Sequence, residues 1–150
     1  MIRSFLIGLV AGQRAMTPLA VLAGAARNGL LAPDAPGAKL LTHPLVAAGA
    51  VTLASGEMAG DKMKSAPDRI VPSGLAARLA TGAFAGAVLA PSGRRRVGAL
   101  IGAGTAVASS YLGWSARMAA LRRFGQTPTG IVEDAVVLAA GQAIAGRGNG

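Results

Sequence analysis

Glu57 and Asp61 stand four residues apart and therefore share one face of a helix, with Gly56 and Gly60 beside them. A second acidic pair, Glu133 and Asp134, falls at the start of another apolar stretch. Together these are four of the chain's six carboxylates. Arginines complement them: Arg14 lies inside the first apolar run, and Arg78 and Arg117 lie near the ends of the third and fourth. A charge at bilayer depth is costly, so it faces the bundle interior and finds a partner. Groups placed in this way bind an ion or small solute, relay protons, or fix packing through buried pairs. Lys62 follows Asp61, and Thr17 and Pro18 sit just past Arg14, where a kink would free backbone carbonyls to line a site. The candidate ion-binding or proton-relay residues are thus Arg14, Thr17, Glu57, Asp61, Lys62, Arg78, Arg117, Glu133 and Asp134.

Other chemistry is excluded by what is missing. With no cysteine there is no disulfide framework, thiolate metal site or cysteine nucleophile. The single histidine, His43, stands next to Pro44 at a helix start and reads as interfacial. Met16, Met58 and Met63 read as packing residues rather than soft-metal ligands. The expectation is therefore no catalytic motif, no metal and no cofactor.

The elements that must position these charges follow from composition. The chain has 150 residues, 52% hydrophobic and only 14% charged, with a mean hydropathy of +0.50. Soluble domains carry about 25% charged residues. Glycine numbers 22 without a triplet period, which excludes collagen, and the apolar content excludes disorder. The composition implies an all-α polytopic membrane bundle forming one domain. Five runs approach the roughly 20 residues that a span needs: about 2–26, 42–61, 73–90, 97–116 and 129–145. The first resembles a signal peptide, with Arg3 ahead of FLIGLVAG, but Arg14, Thr17 and Pro18 interrupt it and it reads as a retained span. Capping hydroxyls near prolines mark helix starts at Thr42 with Pro44, Ser73 after Pro72, and Thr127 with Pro128. The net charge of +9 would suggest nucleic acid in a soluble protein. Here the cations sit mostly in short connections facing lipid headgroups, and five aromatics make a poor stacking platform, so no nucleic-acid partner is expected.

Small residues recur every four positions: Gly8 and Gly12; Gly56 and Gly60; Gly74, Gly82 and Gly86 with Arg78 between; Gly98, Gly102, Ala106 and Ser110. Lipid gives helices no hydrophobic reason to associate, so small-residue grooves that admit a neighbouring backbone predict tight packing. If all five runs cross, alternation brings Glu57, Asp61, Arg78, Arg117, Glu133 and Asp134 toward one face, with Arg14 deeper. An arginine-bearing run precedes an acidic run twice, at a shift of three spans, which is the order of an inverted repeat. On this topology the face shared by the amino terminus and the acidic cluster carries eight basic residues against six opposite. So small a bias permits insertion both ways and an antiparallel dimer, and because five helices enclose little volume a homodimer is expected to complete any pathway.

GQRAMTPLA, GEMAGDKMKSAPDRIVPSGLAARLATGAFAGA and GIVEDAVVLAAG together resemble the bacterial membrane family catalogued as domain of unknown function 4126. The matching positions are Gly12, Arg14 and Thr17; Gly56, Glu57, Asp61, Lys62, Arg69, Pro72 and Arg78; and Glu133 and Asp134. Met63 and Lys64 depart from a pattern that places a proline-containing segment after Asp-Lys. The resemblance implies a multi-pass protein of the bacterial inner membrane and brings no activity with it. The residues themselves point to a small transporter or channel for an ion or small solute. The alternative is a structural or accessory subunit whose charge network fixes packing and a partner interface; an intramembrane enzyme lacks the equipment.

Overall fold

The computed structural model describes residues 1–60, 71–124 and 126–147, and these are predominantly helical with no strand among them. The elements are α1 (Ile2–Gln13), α2 (Thr17–Arg27), α3 (Ala38–Leu41), α4 (Pro44–Gly60), α5 (Pro72–Val88), α6 (Arg95–Phe124) and α7 (Gln126–Ala145). The last four expected runs each correspond to one helix, α4 to α7. The first does not: it is two helices, with Arg14 extended between them at φ −142 and ψ 110. Pro18 explains the break, because its ring lacks the N–H that would reach the Arg14 carbonyl and would clash with that carbonyl in a continuous helix.

Neighbouring residues give the direction of each helix. Ser4 reaches Gly86 and Gly98, Gly8 lies on Gly102, and Gly12 lies on Ala106 and Ser109, so α1 runs parallel to α6. α5 runs opposite to both, since Gly82 meets Ala106 and Gly86 meets Gly98. Val10 and Val21 both flank Gly141, which sets α2 beside α1. The chain beyond α2 returns to the level of Ser4, where Asp34 meets Ser92 and Arg95 in the α5–α6 turn. Hence α1 and α2 form an antiparallel hairpin with its tip at residues 14–16. α4 then runs back to the tip level, and α7 descends from Asp134 beside Arg14 to Ile144 beside Arg3.

This corrects two expectations. The first run is a hairpin rather than one crossing, so the amino terminus lies at the end opposite the acidic cluster. The inverted repeat fails as well: the first run is broken, its counterpart α6 is one helix of 30 residues, and α1 and α6 are parallel where an inverted pair would be opposed.

The tip is internal. Six residues of α5 (Pro72–Ala77) precede Arg78 and eight of α7 (Gln126–Glu133) precede Asp134, which at 1.5 Å per residue sets the tip about 9–12 Å inside that end.

α1, α5 and α6 pack backbone to backbone. A Cβ on Gly8 would stand 2.6 Å from the Gly102 carbonyl oxygen, and one on Gly82 would stand 2.7 Å from the same atom. Gly86 against Gly98, and Gly12 against Ser109, leave still less room. The expected packing role thus fits Gly8, Gly12, Gly82, Gly86, Gly98 and Gly102. It does not fit Gly56 and Gly60, where an added Cβ would meet nothing within 4 Å among the described residues. Ile7, Val10, Val21, Leu22, Val88 and Val137 fill the remaining core. Many large apolar side chains face outward, among them Leu45 at 76% exposure, Leu100 at 74% and Leu112 at 70%.

At the end opposite the tip, Asp34 takes a hydrogen bond from Ser92 and pairs with Arg95 at 3.0 Å. Arg95 also donates to the last carbonyls of α5, Ala87 at 3.1 Å and Val88 at 2.8 Å. The Ser92 hydrogen bond, then Arg95, hold the Asp34 carboxyl below its usual range.

Candidate functional site

Breaking a helix inside a protein exposes backbone donors and acceptors that must find partners. In a continuous helix the N–H groups of Ala15 and Met16 would reach the carbonyls of Ala11 and Gly12. Here they donate instead to Glu57 of α4, Ala15 to Oε1 and Met16 to Oε2, each at 2.8 Å. One carboxylate therefore closes both donors at the start of α2, where the helix dipole also favours negative charge. The Gly12 carbonyl accepts Arg78 Nε of α5 at 3.2 Å, and the Ser110 hydroxyl of α6 lies 3.2 Å from it. Contrary to the kink expected at Thr17 and Pro18, the break thus presents N–H groups as well as carbonyls, and side chains take up both.

Ion pairs surround this turn. Arg14 is fully buried and holds Asp134 Oδ1 through Nε at 2.8 Å and Nη2 at 2.6 Å. Arg78 Nη2 lies 3.8 Å from Glu57 Oε1, and Arg117 Nη1 lies 3.7 Å from Glu133 Oε2. The structure therefore brings together six of the expected site residues: Arg14, Glu57, Arg78, Arg117, Glu133 and Asp134. Asp61 and Lys62 lie outside the described residues. Thr17 opens α2 at the same turn, is fully buried, and its hydroxyl oxygen has no hydrogen-bond partner among the described residues.

The origin of the charges is ordered. The three arginines come from the end of α1, from α5 and from α6, and the three carboxylates come from α4 and α7. Each pair ties an outer helix to the glycine-packed trio.

Next to the tip, α6 and α7 diverge around a groove of about 820 Å³. Leu112, Ala116, Phe124, Val132 and Val136 line it, with Gln13, Arg117, Thr129 and Glu133 as its polar members. The groove is an apolar recess beside the cluster; the ion pairs themselves are closed.

Sequence reasoning missed Gln13, which donates to the Ser109 carbonyl at 2.8 Å, and Ser109, whose hydroxyl donates to the Leu9 carbonyl at 2.9 Å. It also missed Ser4, fully buried and bonded to the Gly86 carbonyl at 2.9 Å. Spacing carried part of the signal: Ser110 continues the row of Gly98, Gly102 and Ala106, so its hydroxyl had to face the same neighbours. His43 is exposed, and its Nδ1 accepts the Leu45 N–H at 3.3 Å, closing the start of α4. Compared with protein families, curated proteins and solved structures, the chain matches none.

Proposed function

We propose that the chain is a multi-pass protein of the bacterial inner membrane, related to the family of domain of unknown function 4126, that moves an ion or small solute through the charge cluster at the hairpin tip. The observation that carries this reading is the broken backbone at depth, capped by Glu57 and ringed by three arginine–carboxylate pairs. Irregular backbone inside a bilayer is tolerated where protein or a cavity surrounds it, and broken helices of this kind hold the substrate sites of transporters. Stability alone offers little reason to keep such pairs, because a buried ion pair often contributes no more than well-packed apolar residues of the same volume.

The membrane reading is supported by the outward-facing leucines and valines around an interior that collects the charges. α6 is long and apolar enough to cross a bilayer. α1 and α2, of 12 and 11 residues, reach only about 18 and 16 Å, against about 30 Å of hydrocarbon, which suits a re-entrant hairpin. Lipid is then one partner. A second copy of the chain is another, completing a pathway that so few helices enclose poorly.

A second reading is favoured by the three arginine–carboxylate pairs at the tip being formed among the described residues: an accessory subunit whose charges fix packing and a partner surface. Reconstitution separates the two. Liposomes containing the purified protein should pass a chosen ion or solute, and Asp134→Asn should abolish passage while the protein keeps its elution volume and helicity. A protein that passes nothing, and whose Asp134→Asn variant merely unfolds, is the accessory subunit.

A further inference from the structure

We propose that the groove between α6 and α7 is a lipid site, in which one acyl chain of an anionic phospholipid lies along the groove and its phosphate rests on Arg122 and Arg123. This rests on the membrane reading above and names the class of lipid that the groove takes.

The groove has the shape of a chain. Its α6 wall is the row Leu112, Ala116, Ala120 and Phe124, and its α7 wall runs from Pro128 through Val132 to Val136. Residues four apart are neighbours on one helix face, so each row is a continuous strip. The alanines in mid-row leave a trough between the larger Leu112 and Phe124. At 1.5 Å per residue the α6 row is about 18 Å long; one leaflet's share of the hydrocarbon is about 15 Å. The trough faces outward, since Leu112, Val132 and Val136 are all exposed. Arg117 and Glu133 border it but pair with each other at 3.7 Å, and the wall is almost wholly apolar. Such a wall favours an occupant that has no hydrogen-bonding group along its length.

The charge at the mouth selects the head. α6 has 30 residues, which is about 45 Å. A bilayer with its headgroups is about 40–45 Å thick, so the last turn of α6 stands among headgroups. Arg122 and Arg123 occupy that turn and are exposed. Arg123 follows Ala116 by two turns and shares its helix face. Its guanidinium lies 5.5 Å over the ring of Phe124, which itself lines the groove, so a cation is held at the rim. The carboxylates described at this end, Glu57, Glu133 and Asp134, are engaged by Arg78, Arg117 and Arg14. With these engaged, the rim offers a choline or ethanolamine cation no carboxylate among the described residues, while two arginines suit a phosphate. A second copy seated here would set its own exposed arginines against them, Arg94 and Arg96 at one end or Arg122 and Arg123 at the other. An anionic phospholipid satisfies both the apolar trough and the basic rim.

The test uses the full-length protein in phosphatidylcholine vesicles. The trace probe is phosphatidylglycerol or phosphatidylcholine with a photoactivatable group at the end of one acyl chain, and mass spectrometry locates the adducts. The phosphatidylglycerol probe should label the groove residues between 112 and 137 in preference to the outward-facing Leu45 and Leu100. There it should exceed the phosphatidylcholine probe by about fivefold for each arginine, and by less in high salt. Arg122→Gln/Arg123→Gln should bring the two probes to equality, whereas Arg94→Gln/Arg96→Gln, at the other end of α6, should leave the difference intact. Ala116→Trp, whose side chain fills the trough, should remove groove labelling by both probes at an unchanged elution volume. If that variant fails to fold, Val132→Trp on the facing helix gives the same reading. Adducts spread evenly over the outward-facing side chains, or a preference that survives the loss of Arg122 and Arg123, overturn the proposal. A groove that neither probe labels also overturns it, and a disulfide-linked Val132→Cys dimer would then assign the face to a second copy. An alkaline carbonate wash examines the membrane reading separately: protein stripped from the vesicles fails that reading. The same probes dispersed in detergent then decide the groove, where arginine-dependent adducts support the lipid site and their absence overturns it.

Discussion

The trio α1, α5 and α6 and the outer pair α4 and α7 are held by different physics. In the trio, glycines let backbones meet, so that Gly102 receives Gly8 on one side and Gly82 on the other. Among the described residues α4 buries little beyond Ala47, Ala50 and Ala54, and a Cβ on Gly49, Gly56 or Gly60 would meet nothing within 4 Å. What fastens α4 and α7 near the tip is charge: Glu57, Glu133 and Asp134 on the outside, Arg78, Arg117 and Arg14 within. Shape complementarity of the first kind has one solution and is lost all at once, because close-packed interiors are bistable rather than deformable. Ion pairs can trade partners. On the proposed transport reading, the trio is the frame and the outer pair is the part that moves.

The comparison is broken most sharply at Asp134. Asp134→Ala leaves the fully buried Arg14 without this partner and should cost about 3–5 kcal/mol, read as loss of thermal stability in detergent. Replacing Arg14 by Met in the same background should recover part of that loss; no recovery means the pair is not what holds α7. Next in size is Gly102→Ala, whose methyl must enter the space of the Gly82 carbonyl, at about 1–3 kcal/mol. Gly56→Ala should be neutral or stabilising by up to about 1 kcal/mol, since the methyl meets nothing within 4 Å among the described residues and alanine favours the helix. Equal melting shifts for Gly102→Ala and Gly56→Ala would erase the distinction between the two regions. The smallest effect concerns Asp34, whose depressed pKa means that its ion pair stabilises above the ordinary carboxylate range near pH 3.9. That contribution is lost as pH falls through the lowered folded value, so below about pH 4 wild-type protein should lose more stability than Asp34→Asn in melting scans.

Much of this arrangement was legible, for identifiable reasons. α4 to α7 each come from one apolar run, so their alternation brings Glu57, Arg78, Arg117, Glu133 and Asp134 to one end whatever the first run does. The hairpin was not legible from hydropathy, which measures apolar length and carries no direction; Pro18 marked the break but not the reversal. The role of Glu57 was hidden because its partners are the N–H groups of Ala15 and Met16, and backbone donors have no letter in a sequence. Four-residue spacing identified the glycines of the trio yet also picked out Gly56 and Gly60, since spacing names a helix face without saying what stands opposite.

The Arg14–Asp134 pair joins positions 120 residues apart, and that distance has a consequence for how the protein is made. The hairpin leaves the ribosome before its partners, which emerge in the order Glu57, Arg78, Arg117 and finally Asp134. Arg14 therefore waits for 120 further residues to be made before its counter-charge exists, and α7 is the helix that locks the hairpin turn.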